Sequence, residues 1–505
     1  MLTRISFAVF GAGAILACSH VTTPAPKDAA AKPASDALSA ESFDLAIRQP
    51  GKNVAQTWAD NCAKCHGANG EGAGASSLLT EEKFDQKYDR VFFDAIKKGL
   101  PDMGMEAFGE TMGDAEIWGQ VVHIRELQAR ALRAKNGSPR ATNGVYASQR
   151  HNFRIETVVE DGQGLKTPWA MDWLPDGTML VTNRPGFVVL VSKDGKVGPQ
   201  LAGFPPSIEF GQGGLMEVAV HPEYAKNGWI YFGLNDPKKD GSRAGFTKII
   251  RGKLQRSGDQ ATLVEQQTIF EVDQRFYNGS GVHFGNRIAF DGKGHVFFAI
   301  GERGAGENAQ DTKRPNGKVY RLNEDGTVPS DNPFASSSDP IEKAVWSYGH
   351  RNPQGLVFDL EGNLWDTEHG PRGGDEVNLI QKGHNYGWPN IAFSINYNGS
   401  PYRVPWPSAD QKYTLPAFRW LPSIGACGLD VAKGPAFPNW KGDLLAGGLS
   451  GANVDRLRFK GGALVEREEI IHGMGRVREV AVGPDGSVYV ALNQPDKIIR
   501  LVPAG

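Results

Sequence analysis

The chain has 505 residues, with 55 lysines and arginines against 57 aspartates and glutamates for a formal net charge of −2. It is too long for one ordinary hydrophobic core and, with 63 glycines and 31 prolines, rich in turn formers, so two domains are expected. The balanced charge without any basic block argues against nucleic acid as a partner, and four cysteines do not make a disulfide framework.

Residues 5–17 are apolar, follow Arg4 and are too short to span a bilayer, which is the pattern of an export signal. The junction Ile15-Leu16-Ala17-Cys18 resembles a bacterial lipoprotein cleavage site, which makes 1–18 a lipoprotein-type signal and Cys18 the lipidated first residue of the mature chain. An ordinary signal cleaved nearby would leave Cys18 incidental. Either way the chain is expected to be exported, periplasmic or at the cell surface, and held to a membrane where the lipid is present. Residues 19–44, mainly Ala, Pro, Lys, Thr and Ser, carry too little apolar surface to fold and form a disordered tether.

The first domain covers 45–133. A helix over 54–61 leads into Asn61-Cys62-Ala63-Lys64-Cys65-His66. Cys-x-x-Cys-His is the spacing that attaches a c-type haem covalently: two thiols two residues apart reach both vinyl groups, and His66 is carried beneath the ring as an iron ligand. The thiol spacing also serves dithiol redox pairs and half zinc sites, but no second Cys pair exists to complete one. Asp114 is placed to cap a later helix, on which Ile117, Val121, Val122, Ile124 and Leu127 keep helical spacing. Between the helices lies Pro101-Asp102-Met103-Gly104-Met105-Glu106-Ala107-Phe108-Gly109, where a thioether could complete the iron and raise its potential. Over this domain the chain resembles the class I cytochrome c family, whose usual Met-Pro-Ala-Phe-Gly matches Met105 to Gly109. The resemblance implies Met105 as the sixth ligand. Glu106 replaces the family's proline, and Met103 and Met112 stand as alternatives.

Residues 134–150 are polar, with Asn136-Gly137 and Ser138-Pro139 as turn signals, and form a linker. In 151–505 a unit recurs in which a Gly-containing turn precedes a short apolar strand: at Asp176-Gly177, Asn227-Gly228, Asp291-Gly292, Glu361-Gly362, Lys441-Gly442 and Asp485-Gly486. This recurrence predicts an all-β six-bladed propeller following a small all-α cytochrome c domain. An irregular β sandwich with ordinary hairpin turns is the poorer account of so long a recurrence.

Three segments of this domain concentrate polar residues at strand ends. They are Val282-His283-Phe284-Gly285-Asn286-Arg287, Tyr348-Gly349-His350-Arg351-Asn352-Pro353-Gln354-Gly355, and Glu368-His369-Gly370-Pro371-Arg372-Gly373-Gly374-Asp375-Glu376 running on to Asn385-Tyr386-Gly387-Trp388-Pro389. Singly, each suits a structural role; together they offer a base, an oxyanion stabiliser and hard oxygen ligands. With Gly213-Gly214-Leu215 and Asn316-Gly317-Lys318 they resemble the soluble quinoprotein glucose and aldose sugar dehydrogenases, six-bladed propellers that hold pyrroloquinoline quinone (PQQ) with calcium and oxidise the anomeric carbon of aldoses.

That resemblance implies His283 as the base for the sugar hydroxyl, Arg351 as the stabiliser of charge on the quinone oxygen, and Glu302 in the place of the family's Asp that orients the histidine. It further implies the carbonyls of Gly370 and Pro371 on calcium, Asp375, Glu376 and the Tyr386 carbonyl at a second calcium, and Gln212, Gln310, Asn352, Arg476 and Arg478 on the quinone. Besides Glu302, Cys427 departs from the family's Ser or Thr, and Leu449-Ser450-Gly451-Ala452 offers no quinone-binding lysine. The function expected is a quinohaemoprotein that oxidises an aldose or related polyol and passes electrons through its own haem to a downstream redox protein or respiratory acceptor. Two other readings remain: a calcium-dependent lactonase-like hydrolase, and an electron-transfer protein whose propeller only binds carbohydrate or docks.

Overall fold

The computed structural model describes residues 53–504, so the export signal, Cys18 and the tether lie outside the described residues. The N-terminal part is helical: α1 (Val54–Asn61), α2 (Ala63–His66), α3 (Tyr88–Lys98) and α4 (Asp114–Asn136). Asn53 caps α1, its side chain accepting the Ala55 N–H at 3.0 Å. Asp114 does not cap α4. Gly113 holds the extended cap position, and the Glu116 carboxylate reaches back to accept its N–H at 3.0 Å. Asp114 instead sits in the first turn and meets Lys97 Nζ at 2.6 Å. The expected apolar stripe of α4 is buried against Val54, Trp58, Phe92, Phe93 and Ile96.

The remainder forms six antiparallel sheets. Their first strands, Pro168–Trp173, Leu215–Val220, Gly285–Phe290, Pro353–Phe358, Ala426–Val431 and Arg476–Val482, contact one another in a ring around a central axis. Each is followed by a second strand: Met179–Asn183, Ile230–Pro237, His295–Ile300, Leu364–Glu368, Leu444–Gly448 and Val488–Asn493. All six recurring turns fall between these first and second strands, so the repeat seen in the sequence is one hairpin position in each blade of a six-bladed propeller. The ring is closed by Asn152–Val159, which comes from the N-terminal side of the propeller and pairs with Lys497–Pro503 in the last blade, Ile155 opposite Leu501. Among the described residues no helix is long and apolar enough to cross a membrane.

The helices do not hang from a free linker. Residues 134–150 contain the last turn of α4 and the strand Tyr146–Ala147, which extends the last blade. The helical core runs on into Phe393 and Ile395 of a long loop of the fourth blade, where the Trp118 ring meets Phe393 and Trp406 edge-on. Ion pairs follow the same seam: Arg372 with Glu126 at 3.0 Å, Arg133 with Glu469 at 2.8 Å, and Asp89 with both Arg125 and Arg419.

Candidate active site and haem site

At one end of the propeller axis, the segments leading into the first strands Gly285–Phe290 and Pro353–Phe358 bring His283 and Arg351 together with Glu302, which follows the second strand His295–Ile300. His283 sits just before Gly285–Phe290 with its backbone in the left-handed region, φ 53°, a conformation that is costly for histidine and is fixed by its surroundings. The Gln212 side chain accepts its N–H at 2.9 Å, and a Cβ on Gly301 would stand 2.2 Å from its carbonyl oxygen, so only glycine lets the two segments approach this closely. Glu302, fully buried, contacts His283 Nδ1. The longer carboxylate therefore does reach the histidine. Such a partner places the ring proton on Nδ1 and the lone pair on Nε2. Burial, then the charge of Arg351, pushes the His283 pKa below its ordinary value, with Glu302 opposing them. The imidazole is thus kept neutral and able to accept a proton.

Arg351 is 3% exposed; its Nη1 donates to the His369 carbonyl at 3.1 Å, its Nη2 lies 3.4 Å from the Tyr397 hydroxyl, and the guanidinium stands over the Trp388 ring. Its Nε has no hydrogen-bond partner, and the same holds for Arg478 Nε and Glu302 Oε2, all buried, while the nearby His369 ring faces the Ala426 backbone. These groups are neighbours: His369 is held neutral, well below its usual pKa, by burial and by the charges of Arg351, Arg478 and His283. Unpaired buried donors are expensive, so this end of the axis suits a ligand rich in oxygen acceptors. Two arginines match carboxylates and quinone oxygens in particular. His369 has no role legible in its motif alone; it follows Glu368, whose partner across the sheet is Pro353, two residues after Arg351.

The other expected contacts differ in kind. Asn352 is wedged: its Oδ1 accepts from Gly285 N at 3.0 Å and its Nδ2 faces His369 Nδ1 at 3.2 Å. Gln310 is exchanged into a pair of hydrogen bonds with Asn385 and also donates to the Trp388 carbonyl, so it braces the 385–388 loop. Arg476 is exposed at the rim, whereas Arg478 is buried, donates to Gln354 at 3.0 Å and has its pKa lowered to about 10 by burial. Cys427 is fully buried with its thiol donating to the Val477 carbonyl at 2.7 Å, and burial raises its pKa to about 11, so it fills the floor as a neutral thiol. Beneath, Arg287 plugs the axis, donating to Glu217, Glu479 and the Gln354 carbonyl. A cavity of about 270 Å³ at the far mouth is lined by the opposite ends of the first strands and contains none of the expected residues.

Gly370, Pro371, Glu376 and Tyr386 line a small cavity of about 20 Å³ with Arg351, Glu368 and Ala392. This is room for one ion or water. The Glu376 carboxyl is pushed well above its usual pKa, first by burial and then by Glu368, which a cation would reverse. Gly370 cannot be another residue, since a Cβ there would lie 2.4 Å from the carbonyl oxygens of Gly373 and Gly374. Asp375 is engaged by backbone N–H groups of its own and the following loop. Its Oδ1 accepts from Gly370 N at 2.9 Å and its Oδ2 from Ile424 N and Ala426 N at 3.0 and 2.8 Å. It staples the loop together, and Glu376 is the carboxylate that faces the cavity.

In the helical part, Cys62 and Cys65 are unpaired thiols on the turn of α2, and His66 Nδ1 is buried without a partner. The His66 ring lies 6.1 Å from Trp58, which lies 5.6 Å from His123 on α4. Met105 and Met112 pack on the helical core while Met103 is 75% exposed, which leaves Met103 pointing away from it. Glu106 reaches Lys64 at 3.7 Å, so the Met105 loop faces the Cys-x-x-Cys-His turn, and the residue that replaces the family's proline is used in that contact.

The family model described as glucose/sorbosone dehydrogenase matches residues 165–500. The chain belongs to this family. The glucose/sorbosone dehydrogenase region is 37% identical over 335 residues to aldose sugar dehydrogenase YliI of Escherichia coli (strain K12), covering 65% of this chain and 88% of that protein. The crystal structure of the soluble aldose sugar dehydrogenase of Escherichia coli in the apo-form superposes with a TM-score of 0.63 at 33% identity, covering 70% of this chain and all of that one (100%). The PQQ-bound form of the aldose sugar dehydrogenase of Streptomyces coelicolor gives a TM-score of 0.54 at 26% identity, covering 72% and 99%. Residues 49–124 match the family model described as cytochrome c oxidase, cbb3-type, subunit III. The chain is therefore a sugar dehydrogenase-type propeller fused to a cytochrome c domain.

Proposed function

We propose that this chain is an exported quinohaemoprotein that oxidises an aldose or related polyol at a PQQ and calcium site in the propeller and passes the electrons to covalently bound haem c. The observation that carries this reading is the pair of buried, unpartnered donors on Arg351 and Arg478 near the His283–Glu302 pair. PQQ bound there supplies a two-electron acceptor, and calcium beside Gly370, Pro371 and Glu376 supplies a Lewis acid.

The chain's own residues account for the rest. Oxidation of a cyclic aldose at C1 to the lactone removes two electrons and two protons. His283 Nε2 takes the hydroxyl proton, and the neutral state imposed by burial lets it do so. Glu302 fixes the ring and stabilises the imidazolium that forms. Arg351, held over Trp388 and against the His369 carbonyl, presents positive charge where negative charge develops. Arg478 and the rim residue Arg476 match carboxylates. Cys62, Cys65, His66 and Met105 would hold the haem, which would supply a one-electron carrier between the propeller and a downstream redox protein or respiratory acceptor. A lipid on Cys18 keeps the enzyme at the membrane.

The test is reconstitution of the purified protein with calcium, with and without PQQ, followed by an aldose panel while the reduced-haem absorbance is recorded. Haem reduction that needs both sugar and PQQ supports the proposal. Lactone hydrolysis without PQQ, or a redox-active haem with no sugar turnover in any condition, rejects it.

A further inference from the structure

We propose that His350, Asp366 and Glu368 form a buried site for a divalent transition-metal cation of the zinc type, adjoining the cavity over Glu376 and Tyr386 and sharing Glu368 with its wall. One donor atom from each lies within 4.8 Å of the other two, and the three side chains are buried. His350 Nδ1 is 3.2 Å from Glu368 Oε1 and 3.7 Å from Asp366 Oδ2. Ligands at about 2.0–2.2 Å from a tetrahedral zinc lie roughly 3.3–3.6 Å from one another, so the two distances from His350 are close to those of a ligand set.

The surroundings call for positive charge. Asp366 and Glu368 lie two residues apart on Leu364–Glu368, and their partners across the sheet are Asn378 and Glu376, which adds a third carboxylate to the same face. Among the described residues no lysine or arginine side chain bonds any of these three carboxylates. An independent observation comes from the polar atoms left over. Asn378 Oδ1 has no hydrogen-bond partner, and the Asp366 carboxylate has no donor near it but Asn378, in poor geometry, although both residues are 0% exposed. Asn378 Nδ2 is committed to Glu368 and Glu376, each at 3.2 Å, which aims the amide into the cluster. Buried oxygens without donors are rare in native proteins and mark a missing cation or proton.

The donor set selects the cation class. One imidazole nitrogen with carboxylate oxygens suits zinc-type cations, whereas calcium takes oxygen ligands throughout. The ligands are oriented from behind: His350 Nε2 meets Ser347 Oγ at 2.8 Å, its ring stacks on Tyr386, and Glu368 Oε2 accepts from the backbone N–H of Arg351 at 2.7 Å and of Asn352 at 3.2 Å. A cation here would tie the segment that carries Arg351 to the fourth blade.

The experiment is elemental analysis of the full-length protein after loading with zinc and calcium together and removal of the excess. One zinc per chain is expected beyond haem iron and calcium. Asp366→Asn should lose that zinc, and Glu376→Gln should keep it. X-ray absorption at the zinc edge of the unsubstituted protein gives a reading that does not depend on a variant folding, and should show one nitrogen among oxygen ligands. A protein that retains only iron and calcium, a zinc edge without a histidine ligand, or a folded Asp366→Asn protein that keeps its zinc would overturn the assignment.

Discussion

The two redox regions of this chain are built on opposite plans. The attachment turn proposed for haem, Cys62 to His66, is a contiguous run of five residues at a short helix, with Cys65 exposed and little packing of its own. The propeller site is dispersed over 200 residues of sequence and is buried before any ligand arrives, with His283, Glu302 and Arg351 each 4% exposed or less. Covalent attachment explains the difference. A cofactor fixed by two thioether bonds needs only correct spacing along the chain, whereas one held by hydrogen bonds and charge needs a rigid cage that already carries the cost of orienting its donors.

That contrast makes the two sites separable by mutation. The largest effect is expected from replacing both thiols, Cys62→Ala with Cys65→Ala. Haem absorbance and haem reduction by sugar should vanish, while sugar oxidation measured with a soluble dye as acceptor persists, because the propeller cage contains neither residue. A double variant that loses dye-coupled turnover as well would show that the sites are not separable.

Within the propeller, His283→Ala should lower kcat in the dye assay by ~10²–10⁴ with the haem spectrum unchanged, the range found for a general base. Glu302→Gln should cost less, about 10–100-fold, since the base remains but loses its orienting charge, and Glu302→Asp should restore part of it. The pH profile distinguishes this from mere loss of structure. The base works deprotonated, so activity falls as pH drops through the His283 pKa, and that acid limb should lie below the ordinary imidazole range because burial and Arg351 lower the value. Glu302 opposes that lowering, so its removal should carry the limb to still lower pH. A limb that stays put or moves upward in Glu302→Gln would contradict the assignment.

How legible each region was follows from the same difference. The Cys-x-x-Cys-His turn, helix α1 and the buried stripe of α4 could be read directly, because local spacing determines them. The six hairpin turns disclosed the propeller because each blade repeats one local decision. The work done by Asp375 and Gln310 could not be read, since it depends on groups 49 to 78 residues away. Nor could a linker rich in polar residues reveal that Phe393 and Ile395, far along the chain, complete the helical core. Burial of one domain's apolar face by another is set by shape, and leaves no period in either sequence.

This shared core leads to the smallest and most specific effect. Glu126 on α4 pairs with Arg372, which adjoins Pro371 in the loop lining the small cavity, and the Cβ position of Gly373 in that loop is 3.4 Å from Val122. On the same helix His123 is in ring contact with Trp58, and Trp58 with His66. The helix therefore touches the propeller's site loop on one side and the haem ligand's neighbour on the other. Glu126→Gln should change overall stability little, by ~0–1 kcal/mol, because Arg372 is 40% exposed on its side chain and such pairs are weak in water. Dye-coupled turnover should also hold. What should fall, by a few fold, is the rate of haem reduction after sugar is mixed with the loaded enzyme in stopped flow, because loosening the loop lengthens the gap the electrons cross. An unchanged haem-reduction rate beside unchanged dye turnover would mean that the seam only fastens the domains together, and that the electrons leave by another face.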